Sequence, residues 1–328
     1  MLSLQIGDLS HQNSLKLQST AETYLEFSNT DELVEISKNY GLEQGNFCVI
    51  GEGTNSIFPI SFKNIVLKAM GKDIKIINSH ENILIEVSAG LEWDDLIDFC
   101  CEKNFYGLEN LAGIPGTVGA APVQNIGAYG KEVSENISKI EVFDIKQKTI
   151  KYIDNEECKF SYRDSFFKKN KHLIITSVFF SLSSIFNANL SYRDLQNKSF
   201  SSAQALINFI RKIRLKKIPD RISFPNLGSF FKNPIIGKKS FNKNPKLSKL
   251  TSLSASPDKV KLSAGEIIES LGLKGMRING CGMSAQHALV LVCTGFCNAN
   301  DIRRVEKTVK EIVFNEYQIN LETEPFYL

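Results

Sequence analysis

Gly113-Ile114-Pro115-Gly116-Thr117-Val118-Gly119-Ala120-Ala121-Pro122-Val123-Gln124-Asn125-Ile126-Gly127-Ala128-Tyr129-Gly130 holds five glycines and three alanines in eighteen residues. Side chains this small let a backbone pack directly against a ligand. Thr117, Gln124 and Asn125 bring hydrogen-bonding groups to the same stretch. It is too rich in Gly, Ala and Pro for a regular element. A long loop that is neither charged nor strongly polar is usually functional. The plainer reading is a tightly packed structural loop.

A second loop stands upstream. Gly51-Glu52-Gly53-Thr54-Asn55-Ser56 follows an expected strand, Phe47–Ile50. Glycines there would let successive N–H groups line an anion site. A dinucleotide fingerprint does not fit, because Ser56 replaces the third glycine and Pro59 follows closely. Taken alone, this loop reads as a β-turn.

Outward from the loops, hydrophobic periodicity gives the elements. Residues 30–40 read as a helix with Asn29 and Glu32 at capping-box spacing and Gly41 as its stop. Ile83, Ile85 and Val87 alternate with Leu84, Glu86 and Ser88 as in a strand, and Glu92–Asn104 reads as an amphipathic helix. Strands are expected near 140–153 and 172–182. Ser202 caps a helix over 203–214 that Pro219 closes. The Lys/Ser/Asn-rich stretch 237–262 reads as a surface loop. Ser263 with Glu266 opens another helix, ended by Gly272, and Ala288–Cys293 is an apolar run of strand length. A last helix over about 300–316 puts Ile302, Val305, Val309, Ile312 and Val313 on one face.

The bulk composition bounds the function. At 328 residues the chain fits two or three packed units. Lys plus Arg is 39 and Asp plus Glu is 36, so a net charge of +3 argues against bulk nucleic-acid binding. Seven cysteines show no paired CxxC and no metal spacing, which suits reduced thiols and no metal. The start, MLSLQIGDLSHQNS, has no charged head before an apolar run, and no apolar run reaches the ~20 residues of a membrane helix. A cytoplasmic protein with no membrane partner is expected.

With these residues in hand, the chain resembles the UDP-N-acetylenolpyruvoylglucosamine reductase family (UDP-N-acetylmuramate dehydrogenases). Gly51–Ser56 and Ala112–Gly130 look like its FAD-binding part. The resemblance continues in order through Tyr162-Arg163-Asp164-Ser165, Gly228-Ser229-Phe230-Phe231-Lys232-Asn233-Pro234, Leu273-Lys274-Gly275-Met276, Gln286 and Leu321-Glu322-Thr323-Glu324. It implies an α+β protein: an FAD-binding fold of the vanillyl-alcohol-oxidase (PCMH) type in two subdomains, plus a C-terminal α/β substrate domain. The expected parts are 1–70 with the tail 321–328 returning to it, 71–217, and 218–320.

The implied reaction is peptidoglycan precursor synthesis. NADPH reduces non-covalent FAD, and UDP-N-acetylglucosamine enolpyruvate is reduced to UDP-N-acetylmuramate. The resemblance also implies site roles. Gly51, Glu52, Gly53, Thr54, Asn55, Ser56, Gly113, Ile114, Pro115, Gly116, Thr117, Gly119, Asn125, Gly127 and Ala128 would hold FAD.

Ser229 matches the proton donor, although a serine needs neighbours to act as an acid. By local sequence alone it is a turn residue. Arg163 matches a group that steadies the developing enolate with a planar fork; its bland reading is a surface ion pair. Glu324 matches the third catalytic residue and otherwise reads as a solvated tail carboxylate. Lys217 closes the basic run Arg211, Lys212, Arg214, Lys216 and would reach the substrate diphosphate. The same run also suits a helix C-terminus.

Tyr192 matches a tyrosine on the closing loop of the type I branch, and Tyr129, Tyr162, Asn233 and Gln286 match substrate contacts. Of the histidines His11, His80, His172 and His287, none lies in a glycine loop, so no covalent flavin link is expected. The resemblance thins at Met283-Ser284-Ala285, at Glu266, in 237–262 and at Pro325-Phe326-Tyr327-Leu328, where the family continues with an arginine and a short strand. That leaves the anchoring of Glu324 open. A monomer is expected. Another flavin oxidoreductase of the same fold, or a UDP-sugar-binding relative without chemistry, are the alternatives.

Overall fold

In the computed structural model, residues 7–78 and 82–328 are described; His80 and the first six residues of the N-terminal stretch lie outside them. The chain divides into two units. Unit 1 holds Ala21–Glu52 and Lys63–Arg214, and unit 2 holds Asp8–Thr20, Gly53–Phe62 and Leu215–Leu328.

In unit 1, helix α1 is Thr30–Tyr40. Asn29 Oδ1 accepts from Glu32 N at 3.0 Å, and Gly41 ends the helix in the left-handed region. The capping box is only half formed, because the Glu32 carboxylate turns back one residue further and accepts from Ser28 N at 2.7 Å. The apolar face carries Leu33 and Ile36. It joins Leu25, Phe27, Leu42, Ile65, Leu67, Phe143, Ile145 and Ile174 in one core. The sheet beside it runs Gly7–Asp8, Thr20–Phe27, Ser61–Ala69, Phe47–Ile50, with the last pair parallel.

The larger sheet of unit 1 is antiparallel, in the order Thr149–Asp154, Ile137–Asp144, Leu173–Leu182, Ile83–Ser88, Ile74–Asn78. Ile83, Ile85 and Val87 are buried, as the alternation requires. Helix α2, Trp93–Glu102, packs on this face with the one tryptophan of the chain at its start. Trp93 is 1% exposed, sits edge-on to Phe180 at 6.0 Å and donates its Nε1–H to Leu111 O at 3.0 Å. A buried indole needs such a partner. Helix α3 is Ala203–Lys217, one turn longer than expected, with Ser202 Oγ accepting from Ala205 N.

In unit 2, a four-stranded sheet runs Asn226–Ser229, Val290–Cys293, Cys281–Met283, Arg277–Ile278, with antiparallel neighbours. The stretch 237–262 is not a loop. It holds a short helix α4, Lys238–Lys243, and two strands, Ser252–Ser256 and Lys259–Leu262, the second lying between the first and Ile235–Gly237. Leu247, Val260 and Leu262 are buried beneath it. Helices α5, Ala264–Ser270, and α6, Ala299–Tyr317, cover the core. A full capping box at Asn298 and Asp301 opens α6, whose buried stripe is Ile302, Val305, Val309 and Val313.

Candidate functional site

The long glycine loop is fastened to the approach of α2 in unit 1. Gly119 N donates to Ala89 O, Val118 N to Leu91 O, and Trp93 N to Gly116 O, each at 2.9 Å. Asp94 Oδ1 accepts from Gly113 N at 2.6 Å. The other Asp94 oxygen takes Arg211 Nε at 3.0 Å, and Arg214 Nε donates to Gly113 O at 3.1 Å. The basic run on α3 is thus in part a clamp on this loop.

Gly51 meets the same loop. A Cβ there would stand 2.7 Å from Thr117 Oγ1 and 3.4 Å from the Ala120 methyl. Gly51 therefore packs directly on the Thr117 side chain and the Ala120 methyl, which brings the two backbones close. That is the fit a diphosphate-bearing cofactor asks for: amide-lined surface that a phosphate can approach. Glu52 pairs with Lys68 at 3.3 Å. On the unit 2 side, Gly53 has φ 60, and a Cβ there would lie 2.0 Å from Gln12 O, so only glycine fits. Ser14 N donates to Gly53 O at 3.2 Å, and Phe326 N to Asn55 O at 3.0 Å.

Asn125 is fully buried. Its amide donates to Glu132 Oε2 at 2.8 Å and Ser161 O at 3.2 Å, and its oxygen accepts from Ser134 N at 3.1 Å. The side chain expected at the cofactor organises the loop itself. It also holds the turn 161–164, which Ser161 and Asp164 close by exchanging two backbone bonds. At its tip Arg163 has φ 54, a costly value for a side-chain-bearing residue and one that clusters at functional sites. Its guanidinium donates to Gly127 O at 2.5 Å and lies 5.4 Å from the Tyr162 ring centre.

Tyr129 and Tyr192 meet edge to face at 5.3 Å. Asn110, itself buried, donates to Tyr129 O at 2.8 Å and Asn189 O at 2.9 Å, tying the 189–196 segment to the glycine loop. Burial pushes the Tyr129 hydroxyl up to about 12 against the pull of Arg214.

In unit 2, Ser229 is exposed at the end of its strand. The turn before it hangs on Asn226, which is fully buried. The Asn226 amide donates to Pro219 O at 3.0 Å and Phe224 O at 2.8 Å, while its oxygen accepts from Gly228 N at 3.0 Å. Gly228 takes φ 70 with open space around it.

The tail passes alongside. Lys232 N donates to Glu322 O at 2.8 Å and Glu324 N to Phe230 O at 2.9 Å. Ser229 and Glu324 therefore belong to adjoining backbone segments. Beyond Glu324, Phe326–Tyr327 pairs in parallel with Ser56–Ile57.

The anchor of this tail is Glu306 on α6. It accepts from Thr323 Oγ1 at 2.6 Å, from Lys310 Nζ at 2.6 Å and from the Tyr327 hydroxyl. Burial raises the Glu306 carboxyl, but these hydrogen bonds outweigh it and hold it below the usual carboxylate range. Arg303 lies 3.8 Å over the Tyr327 ring.

Lys217 ends α3 near His287, whose imidazole is pushed down first by burial and then by Lys217 and Lys274. Gln286 Nε2 donates to Lys216 O at 2.8 Å, so Gln286 caps the same helix end. Asn233 Oδ1 accepts from Ala264 N at 2.9 Å and so opens α5. Sequence reasoning missed Asn226, Asn110 and Glu306. The first two carried a signal, a lone Asn in an apolar stretch, which when buried must find partners.

The profile described as an FAD binding domain matches residues 21–151, and that of the C-terminal domain of UDP-N-acetylenolpyruvoylglucosamine reductase matches 220–328. A UDP-N-acetylenolpyruvoylglucosamine reductase of Pseudoalteromonas translucida is 38% identical over 321 residues, covering 95% of this chain and 92% of that protein. One of Bdellovibrio bacteriovorus is 36% identical, with 97% of each chain covered. The solved structure of the Thermus caldophilus UDP-N-acetylenolpyruvylglucosamine reductase superposes with a TM-score of 0.72 over the whole of both chains at 22% identity. The expected fold, an α+β FAD-binding part followed by a C-terminal substrate domain, stands.

Proposed function

The chain belongs to the UDP-N-acetylenolpyruvoylglucosamine reductase family, and on that premise we propose how its own residues reduce UDP-N-acetylglucosamine enolpyruvate to UDP-N-acetylmuramate. It is an FAD-dependent, NADPH-consuming oxidoreductase of peptidoglycan precursor synthesis. Bound FAD, once reduced, supplies the hydride. The backbones of Gly51–Ser56 and Gly113–Ala128 would hold its diphosphate, and the Asn125 side chain shapes the second loop from within.

Hydride addition beside a carboxylate builds enolate charge, which needs fixed donors and then a proton. Arg163 supplies the fork for that charge, held in place at positive φ by the 161–164 turn. Ser229 gives the proton, and Glu324 assists it. The observation that carries this reading is the tail bond, Glu324 N to Phe230 O at 2.9 Å, which sets the two residues on adjoining segments. Lys217 meets the substrate diphosphate, and Asn233 and Gln286 contact the substrate from the segments they brace, the start of α5 and the end of α3. Tyr192 closes over the nucleotide from its contact with Tyr129, and Tyr162 lines the same unit. We keep a three-part division at 70 and 217, with one core cluster over 83–210 and a second that joins 25–67 to Phe143, Ile145 and Ile174. No helix among the described residues is long and apolar enough to cross a membrane. The reading places the enzyme with NADPH and nucleotide sugars, in the cytoplasm.

The test separates the two half-reactions. Ser229→Ala should leave flavin reduction by NADPH intact and slow reoxidation by the enolpyruvyl substrate about 10²–10⁴-fold, the range for a lost general acid. Equal loss in both halves would make Ser229 a structural residue.

A further inference from the structure

Three of the seven cysteines come together in unit 2, and none of them has a role above. Cys281 and Cys293 are direct partners across two antiparallel strands. The ladder bonds fall on the flanking pairs: Thr294 N donates to Gly280 O at 2.6 Å and Ser284 N to Val290 O at 2.7 Å, while Cys293 N turns away to Pro225 O. Cys281 and Cys293 are therefore a non-hydrogen-bonded pair, whose Cα atoms stand about 4.5 Å apart with both side chains on one face. Disulfides span Cα separations of about 4.4–6.8 Å.

The third thiol arrives by a turn. At Gly295, with φ 91, the chain doubles back, and the carbonyls of Thr294 and Phe296 each come within 2.9 Å of where a Gly280 Cβ would stand. The next residue, Cys297, packs against the core that contains Cys281 and Cys293, and its sulfur interacts with both of theirs, while the Cys281 thiol also donates to Ile278 O at 3.5 Å. It stands one residue before Asn298, the N-cap of the long helix α6, whose positive end favours an anion. Cys281 and Cys293 are buried, whereas Cys297 is half-buried behind the exposed turn 294–296. Among the described residues no group of His, Cys, Asp and Glu is arranged to hold a metal ion.

The two neighbouring sulfurs hold the Cys297 thiol low, against burial and the Asp301 carboxylate, and are themselves pushed up. Arg277 faces the pair and Tyr327 faces Cys281.

We propose that Cys297 is a site of oxidation by hydroperoxides, resolved by Cys281 or Cys293 as a disulfide. The Cys297 thiolate attacks one peroxide oxygen; the S–O bond forms, the O–O bond breaks, and the departing hydroxide takes a proton to become water. The neighbouring thiol then attacks the sulfenic sulfur. The S–S bond forms, and the oxygen leaves as water with that thiol's proton. Two thiols lose two electrons, and one hydrogen peroxide becomes two waters.

The test uses the FAD-loaded protein and a small molar excess of hydrogen peroxide. Remaining thiols are alkylated under denaturing conditions, and the digest is read by mass spectrometry. A peptide joining Cys297 to Cys281 or Cys293 is expected, with the other half-buried thiols, Cys48 and Cys101, still alkylated. In Cys297→Ser both Cys281 and Cys293 should stay reduced. Oxidation of Cys48 or Cys101 ahead of Cys297, or a Cys297 that remains fully alkylated, overturns the proposal. A readout on the unmutated protein guards against a variant that fails to fold. Alkylation of native Cys297 by iodoacetamide should run nearly as fast at pH 6 as at pH 8. A rate that falls about tenfold per pH unit, as for a thiol with pKa of about 8.5, would contradict it.

Discussion

Lys217 and His287 show how one residue sets another's behaviour. His287 Nδ1 accepts from Leu289 N at 3.3 Å, so the neutral ring is built into the loop. Burial and the Lys217 cation both oppose its protonation. Its folded pKa lies below the unfolded value of about 6.5. The stability this contributes is therefore complete above that value and is lost as pH falls through the depressed folded pKa. Thermal melts between pH 7.5 and 5 should show a decline that His287→Gln flattens; parallel curves would remove His287 from the account. Lys217→Ala should raise KM for the UDP-sugar with little change in kcat at saturation, as expected when binding is lost equally in ground and transition states. A fall in kcat at unchanged KM would move Lys217 out of the binding group. A basic run at a helix end is visible in the sequence, and the family resemblance singles out Lys217 within it. The partnership with His287 was not, since it joins residues seventy positions apart.

At the scale of elements, local signals carried well where one principle dominated. The helices α1, α5 and α6 follow their apolar periods and caps, and the alternating strand Ile83–Ser88 follows its pleat. The stretch 237–262 was missed because its lysines, serines and asparagines mask a short pattern. Lys259-Val260-Lys261-Leu262 alternates over four residues only, and Val260 and Leu262 are the buried pair. The half-formed capping boxes share a cause. Glu32 and Glu266 find backbone N–H groups elsewhere, at Ser28 and Thr251, so spacing predicted the caps but not the partners.

The tail was the open element, and α6 closes it. Glu306→Ala removes the acceptor for Thr323, Tyr327 and Lys310 together. It should destabilise unit 2 by about 1–3 kcal/mol in denaturant melts. It should also slow flavin reoxidation by substrate while leaving reduction by NADPH unchanged, because the segment it frees carries Glu324. Glu306→Gln, which keeps an acceptor, should recover much of both. A variant with full reoxidation rate would show that Glu324 is held without this clamp. Because hydrogen bonds depress the Glu306 carboxyl, its contribution is present above the usual carboxylate range and fades as pH falls through the lower folded value.

Across the whole molecule, the long glycine loop 113–130 was legible because small residues in such number have few other uses, whereas Gly51–Ser56 taken alone reads as a β-turn. The way they are held was not. The bonds from Gly113, Val118 and Gly119 to the 89–94 segment, and the clamp from Asp94 to Arg211, depend on tertiary contacts that no local pattern announces. The same holds for Asn226, whose three bonds shape the approach to Ser229. Such scaffolding bonds are set by the folded chain, so a motif can name Ser229 while only the fold explains its setting.

The most direct test of the central claim is an anaerobic visible spectrum of the purified protein, titrated first with NADPH and then with UDP-N-acetylglucosamine enolpyruvate. The account predicts a flavin band that bleaches with NADPH and returns when the enolpyruvyl sugar is added. Bleaching without return would contradict the substrate, and a protein that binds no FAD would contradict the flavoenzyme itself.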